Sequence, residues 1–208
     1  MPKVHLVKAA AKDNEVAKKG ESYYWWAFRF GGKRMSKTMP RPSQLTQSDF
    51  SSRQLELEER IGDLKADTFE DLKSDVESIC EEIRMLGEEQ SDKFSNMPDS
   101  LQQGPTGELL QGRADSCEEW ADSLEGVDLD VDEPTEADAE NDLDPSPKIE
   151  DIEDKDLEEG QTREQKLEEM VEEWEREKAD RLGELQADWQ GKLEEAIPEL
   201  QSYNYEGE

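Results

Sequence analysis

The feature that most constrains the fold is a row of apolar residues that recur at helical spacing in the middle of the chain. Their spacings are 3, 4, 3, 4 and 3, and they are Phe69, Leu72, Val76, Ile79, Ile83 and Leu86. Such a seam is typical of a helix that packs on another helix. A second seam has spacings of 4, 3, 4 and 3, and it consists of Leu110, Ala114, Cys117, Ala121 and Leu124. We therefore predict an acidic helical hairpin or coiled coil over residues 51–125.

The helix boundaries of this segment are marked by local residue patterns. Ser51 and Gln54 form a capping-box pattern that predicts a helix start near residue 52. Thr68 and Asp71 predict a second start, and Gly104 with the proline that follows it predicts a break.

Composition excludes a single large globular core. Only 32% of the residues are hydrophobic, 39% are charged, and the net charge is −31. Chains of this kind stay partly disordered or fold as extended helices, because apolar burial cannot offset the chain entropy. The charge also changes sign along the sequence, from +6 in residues 1–50 to −37 in residues 51–208. We therefore expect a basic head on an acidic body.

The head contains an aromatic run that ends in two glycines. Six of the fourteen aromatic residues lie in 23–30, directly before Gly31 and Gly32. Because glycine adopts the positive φ of a tight turn, this pattern predicts a β-hairpin with a two-residue Gly-Gly turn. The corresponding register pairs Phe28 with Met35. It places Trp25 together with Arg29 and Arg34 on a polar, cationic face.

The head is the candidate nucleic-acid interface. Basic side chains there would contact phosphates, and aromatic rings would stack on bases. The candidate residues are Tyr23, Trp25, Arg29, Lys33, Arg34 and Lys37. Two alternatives stay open: the aromatics are the core of a mini-sheet with a solvated basic face, or the head docks on an acidic protein surface, including this chain's own body. A third strand over residues 4–8, or a docked helix, should complete the marginally stable hairpin.

The stretch from Tyr24 to Thr38, YWWAFRFGGKRMSKT, resembles the first hairpin of the arm-type DNA-binding domain of phage tyrosine integrases. The shared pattern is an aromatic strand, a tight turn with Gly-Lys-Arg and a Ser/Thr-rich second strand. Residues 19–50 are also similar to small phage-associated and bacterial proteins of uncharacterised function, which implies a viral or mobile-element origin. No recombinase activity is implied, because an acidic body replaces the catalytic domain of those enzymes.

Residues 126–161 are predicted to be an acidic disordered linker. Nine carboxylates fall within 128–144, and such self-repelling tracts stay extended. Asp128, Asp130 and Asp132 begin like a calcium loop, but the required glycine at the sixth position and glutamate at the twelfth are missing. We therefore expect no calcium site.

Residues 162–200 are predicted to form an amphipathic helix, and residues 201–208 a tail. Thr162 and Gln165 form a capping-box pattern, and Pro198 is the expected stop. The candidate partner-binding residues on this helix are Trp174, Leu182, Leu185 and Trp189. Packing in the protein's own core is the alternative role for the same residues, and it is the favoured one.

The predicted fold class is mainly α. A small antiparallel β-hairpin or mini-sheet over 1–42 and a linker over 43–50 precede extended, coiled-coil-like helices with the disordered acidic linker between them. No Walker loop, GxSxG or HExxH motif is present, so we expect neither an enzyme nor a cofactor. Cys80 and Cys117 are predicted to be buried small hydrophobic residues, and no metal site is expected.

The sequence favours a non-catalytic phage or mobile-element accessory or adaptor protein. Its basic hairpin would contact nucleic acid or an acidic protein surface, and its acidic helices would bind a helical partner or self-associate. The alternatives are an acidic nucleic-acid mimic that inhibits a nucleic-acid-binding protein, and a structural component of a virus particle. We expect no membrane contact and no small-molecule substrate. The expected location is the cytoplasm, that of the host if viral, or the virion.

Overall fold

The computed structural model describes residues 1–153, 157–158 and 161–207. Within those residues the strands are β1 (His5–Val7), β2 (Tyr23–Phe28) and β3 (Gly32–Ser36). The helices are α1 (Asp49–Gly62), α2 (Phe69–Ser95), α3 (Asp99–Gln102), α4 (Pro105–Glu125), α5 (Glu136–Asn141) and α6 (Arg163–Ser202). The prediction of a mainly α fold with a small N-terminal antiparallel sheet is confirmed. Parts of the predicted acidic linker, 154–156 and 159–160, and residue 208 of the tail lie outside the described residues.

The chain divides into two compact units, each built from segments that are distant in sequence. The first comprises Met1–Lys65, Ser74–Val127 and Leu200–Glu208, and the second comprises Ala66–Lys73 and Asp128–Glu199. The N-terminal sheet, and with it the candidate nucleic-acid interface, belongs to the first unit.

The sheet has three antiparallel strands in the order β1-β2-β3. The predicted third strand is confirmed, since β1 pairs with β2 and His5 lies opposite Trp25. Backbone hydrogen bonds close the long connection between these strands: the amide of Ala10 donates to the carbonyl of Glu21 at 2.8 Å, and that of Gly20 donates to the carbonyl of Ala10 at 2.9 Å.

The predicted register of the β2–β3 hairpin is wrong. Phe28 lies opposite Gly32, and Trp25 lies opposite Met35. The turn therefore contains the three residues 29–31, and the positive φ of +76° falls on Gly32. Because side chains alternate across a strand, a shift by an odd number of residues moves every β3 side chain to the other face relative to β2.

The apolar residues of the predicted α2 seam are buried. This confirms that the 3,4 spacing marks the face on which the helix packs. In the first unit, Ile83 and Leu86 have no exposed surface, and Ile79 is 2% exposed. The predicted start of α1 near residue 52 is wrong by a few residues, since Ser48 is the N-cap and its hydroxyl accepts from the amide of Ser51 at 3.2 Å. The predicted capping residues of α2 and α6 are confirmed by their hydrogen bonds.

Three helices of the first unit are joined by ion pairs at their edges. Arg60 of α1 pairs with Glu82 of α2 at 2.6 Å. Arg84 of α2 reaches α4, where it pairs with Asp122 at 3.0 Å and also with Glu125. The hydrogen bond from Arg84 holds the pKa of the Glu125 carboxyl below its ordinary value. These contacts show that α2 lies beside both α1 and α4.

The predicted C-terminal tail packs on the helices of the first unit. The ring of Tyr205 meets the rings of Phe50 and Trp120 edge-on, with centroids 5.6 and 6.0 Å apart. The indole nitrogen of Trp120 donates to the carbonyl of Tyr203 at 3.4 Å. The polar-aromatic tail is thus part of this unit's packing.

The expectation of a disordered linker over 126–161 is wrong for much of its described part. The helix α5 lies within it, Ala139 has no exposed surface, and Ile152 is 3% exposed. Arg181 of α6 pairs with Asp142 at 2.7 Å. Apolar residues between the carboxylates are buried, and basic side chains of α6 offset part of the acidic charge.

The helix α6 continues past Pro198, which corrects the predicted stop. An internal proline costs a helix about 3 kcal/mol. The last turn nevertheless buries Leu200 completely. The side-chain amide of Gln201 donates to the carbonyls of Gly62 and Leu64 at 3.1 and 3.2 Å. These contacts of the first unit stabilise the turn beyond the proline.

Both cysteines are buried, as predicted, and we expect them to be inert in the folded protein. Burial raises the pKa of the Cys80 thiol to about 11, and that of the Cys117 thiol to about 11. At pH 8 their reaction with a disulfide reagent such as DTNB should be on the order of 100-fold slower in the native than in the unfolded protein. Equal rates with and without guanidinium would contradict this expectation.

Candidate nucleic-acid interface

The face of the sheet that carries Trp25 forms the first part of the candidate interface. His5 of β1 stacks on the indole of Trp25, with ring centroids 4.4 Å apart and planes 12° from parallel. The ammonium nitrogen of Lys33 lies 4.4 Å from the centroid of the same indole. Tyr23 lies two residues before Trp25 on β2 and therefore on the same face. The structure thus brings together Tyr23, Trp25 and Lys33 of the predicted set, and it adds His5.

The other predicted cations lie in different surroundings. Arg34 lies opposite Trp26 and therefore on the other face, where its guanidinium carbon is 5.8 Å from the ring centroid of Phe28. Its predicted place beside Trp25 is wrong. Lys37, just beyond β3, pairs with Glu21 at 2.7 Å. The hydrogen bond from Lys37 holds the pKa of the Glu21 carboxyl below its ordinary value.

The turn between β2 and β3 contributes an aromatic residue that the sequence analysis missed. Phe30 is 87% exposed, and the guanidinium carbon of Arg29 lies 5.2 Å from its ring centroid. All fourteen aromatic residues lie in the described part of the chain, and among them only Phe30 is largely exposed to solvent. The two-residue turn had placed Phe30 within a strand. A three-residue turn, which Gly32 also permits, would have placed it at the tip.

Three exposed cations of the hairpin remain without a carboxylate partner. Arg29, Lys33 and Arg34 are exposed, and none of them forms a salt bridge within the part of the chain that the structure describes. Some arginines of the helices, such as Arg60 and Arg84, pair with helix carboxylates instead. In a chain with a net charge of −31, these three cations therefore keep their charge available for a ligand.

The predicted partner site on α6 is largely internal to the second unit. Trp174 and Trp189 are 8% and 9% exposed, and the indole nitrogen of Trp174 donates to the carbonyl of Asp144 at 2.9 Å. Leu182 and Leu185 are half-buried. The two tryptophans are core residues, which is the role that the sequence analysis favoured for them.

The described residues hold neither a group of metal ligands nor a membrane-spanning helix. Those residues contain no group of three or more His, Cys, Asp or Glu side chains that could hold a metal ion. None of their helices combines the length and apolar character needed to cross a membrane. In comparisons with known proteins, no family model matches the chain, and neither a curated protein nor a solved structure does.

Proposed function

We propose that this chain is a non-catalytic accessory or adaptor protein of a phage or mobile element, in which the N-terminal sheet binds nucleic acid and the acidic helices associate with protein. The resemblance of the hairpin to integrase arm-type domains supports both the ligand and the origin. The sign change of the charge near residue 50 supports the division of roles between the head and the body.

One observation carries the nucleic-acid assignment. Arg29, Lys33 and Arg34 stay unpaired in an acidic chain and lie beside aromatic rings. Phosphates are bound by such cations, and aromatic rings add stacking on bases. An acidic protein surface would use the cations but would gain little from the exposed ring of Phe30. The combination therefore favours nucleic acid over an acidic protein as the ligand of the head.

The proposal predicts salt-dependent binding of DNA or RNA by the full chain. Replacing Arg29, Lys33 and Arg34 together by glutamine should weaken binding strongly. It should also reduce the slope of log K against log salt by about 2 to 3, since each phosphate contact contributes about 0.7 to 0.9. Fluorescence anisotropy with a labelled oligonucleotide at several salt concentrations measures both quantities.

A matched control removes the same charge from the body. Lys65, Lys93 and Arg176 are exposed residues of the acidic body, and their replacement by glutamine should leave the salt slope unchanged. Equal losses of nucleic-acid affinity in the two triple variants would show that binding depends only on net charge. Absence of salt-dependent binding by the unmodified chain would refute the proposed function.

A further inference from the structure

We propose that the head selects single-stranded nucleic acid, and that Phe30 at the hairpin tip stacks on an unpaired base. This inference rests on the proposed function and narrows its ligand from nucleic acid in general to unpaired strands. It assigns a specific role to a side chain that the sequence pattern placed inside a strand.

Phe30 is the aromatic ring that offers a base the most open surface, although the Arg29 guanidinium lies beside it. It is 87% exposed. Trp25 is half-buried, and its indole already carries the imidazole of His5 and the ammonium of Lys33, each 4.4 Å from its centroid. Tyr23 is also half-buried. The remaining aromatic residues of the chain are buried or half-buried as well.

The chemistry of a phenyl ring favours an unpaired base over a duplex. Phenylalanine has no hydrogen-bonding atom with which to read base edges in a groove. It gains affinity by stacking on a base face, and in a duplex those faces are covered by neighbouring bases. Inserting the ring into a duplex would require unstacking a base step, at a cost of about a few kcal/mol. A single strand offers the same face without that cost.

Cations surround the tip in positions suited to a sugar–phosphate backbone. The guanidinium carbon of Arg29 lies 5.2 Å from the Phe30 ring centroid. Lys33 and Arg34 are successive residues of β3, so they lie on opposite faces of the hairpin. A strand stacked on the tip therefore meets positive charge whichever face its backbone follows.

Strand pairing closes the turn backbone directly below the tip. Phe28 and Gly32 pair directly below the turn, and the positive φ of Gly32 costs glycine no steric strain. The side chain of Gln47 lies so close to Gly31 that a Cβ there would collide with it. A constrained turn backbone loses less conformational entropy on binding than an open loop.

The test compares a labelled single-stranded oligothymidine of about 15 nucleotides, near the upper end of common binding-site sizes, with a duplex of the same length. Anisotropy titrations use the full chain and its Phe30→Ala and Phe30→Tyr variants. Phe30→Ala should weaken single-strand binding about 5- to 150-fold, with an unchanged salt slope because no charge is lost. Phe30→Tyr should retain the affinity. Met39→Ala is the control, since Met39 is an exposed apolar side chain outside the sheet.

The outcomes separate this inference from the proposed function. The inference is overturned if Phe30→Ala binds the single strand as tightly as the unmodified chain, or if the duplex is the tighter ligand. In either case the proposed function stands, provided that neutralising Arg29, Lys33 and Arg34 still abolishes binding. If the unmodified chain binds neither ligand, the proposed function itself fails.

Discussion

Gly87→Leu should lower the free energy of unfolding of the first unit by about 2 kcal/mol, the middle of the range for overpacked cores. Gly87 lies on the buried side of α2. A Cβ placed there would be 2.9 Å from the Cβ of Cys117 and 3.3 Å from the carbonyl oxygen of Ala114, both on α4. The glycine therefore permits α2 and α4 to approach closely, and a leucine would force them apart. Guanidinium unfolding followed by circular dichroism measures the loss.

The matched control is Gly112→Leu on α4. A Cβ at Gly112 would have no atom within 4 Å, so this substitution brings the better helix propensity of leucine without a clash. It should stabilise the protein by about 0.5 to 1 kcal/mol. If Gly87→Leu destabilises the protein and Gly112→Leu stabilises it, the result would support a close helix contact at Gly87. Stabilisation by both would mean that α2 and α4 are farther apart than described.

Trp189→Ala should lower the free energy of unfolding of the second unit by about 3 to 5 kcal/mol, the usual cost of truncating a buried aromatic residue. The Trp189 ring meets Phe69 edge-on with centroids 5.6 Å apart, and its indole nitrogen donates to the carbonyl of Val131 at 3.4 Å. The substitution removes both contacts and leaves a cavity. Chemical unfolding of the full chain, followed by circular dichroism, should show the second unit losing structure at lower denaturant concentration.

Two further variants test whether Trp189 acts through packing. Trp189→Phe keeps an aromatic ring and loses the indole hydrogen bond. It should therefore lower the free energy of unfolding clearly less than the alanine variant does. Leu185→Ala truncates a half-buried residue of the same helix and should also cost less. If Trp189→Ala left the stability of the isolated chain unchanged, the tryptophan would not be a core residue, and its predicted role in binding a partner would be revived.

The seam of α2 could be predicted because it depends on a repeat that belongs to the chain alone. A helix places residues three and four apart on one face, so Ile83 and Leu86 had to share a side whatever covered it. The starts of α2 and α6 could be predicted for a similar reason. A capping residue bonds to backbone amides only a few positions away, so its effect is also local.

The hairpin shows where local patterns stop being sufficient. Gly31 and Gly32 both tolerate a positive φ, so a two-residue and a three-residue turn were equally permitted. In the register that forms, Trp26 is 3% exposed and Phe30 lies at the tip. The most accessible part of the candidate interface was missed for this reason.

The acidic segment and the end of α6 depend on contacts with residues far away in sequence. Carboxylates in 126–153 suggested disorder because a composition argument averages over the whole segment. It gives no weight to single apolar residues such as Ala139 and Ile152, which are buried. Pro198 suggested a stop, but Gln201 finds backbone acceptors at Gly62 and Leu64.

The sequence by itself determined that the stretches of α1, α2, α4 and α6 are helical, which face of α2 is apolar, and that positive charge and aromatic rings collect in the first 50 residues. Those properties follow from short-range periodicity and from charge, which do not depend on the rest of the fold. Only the tertiary structure decided the hairpin register, the burial of Trp174 and Trp189, and the exposure of Phe30. Burial and register depend on partners brought together by long-range packing, and a residue's own neighbours in sequence do not specify them.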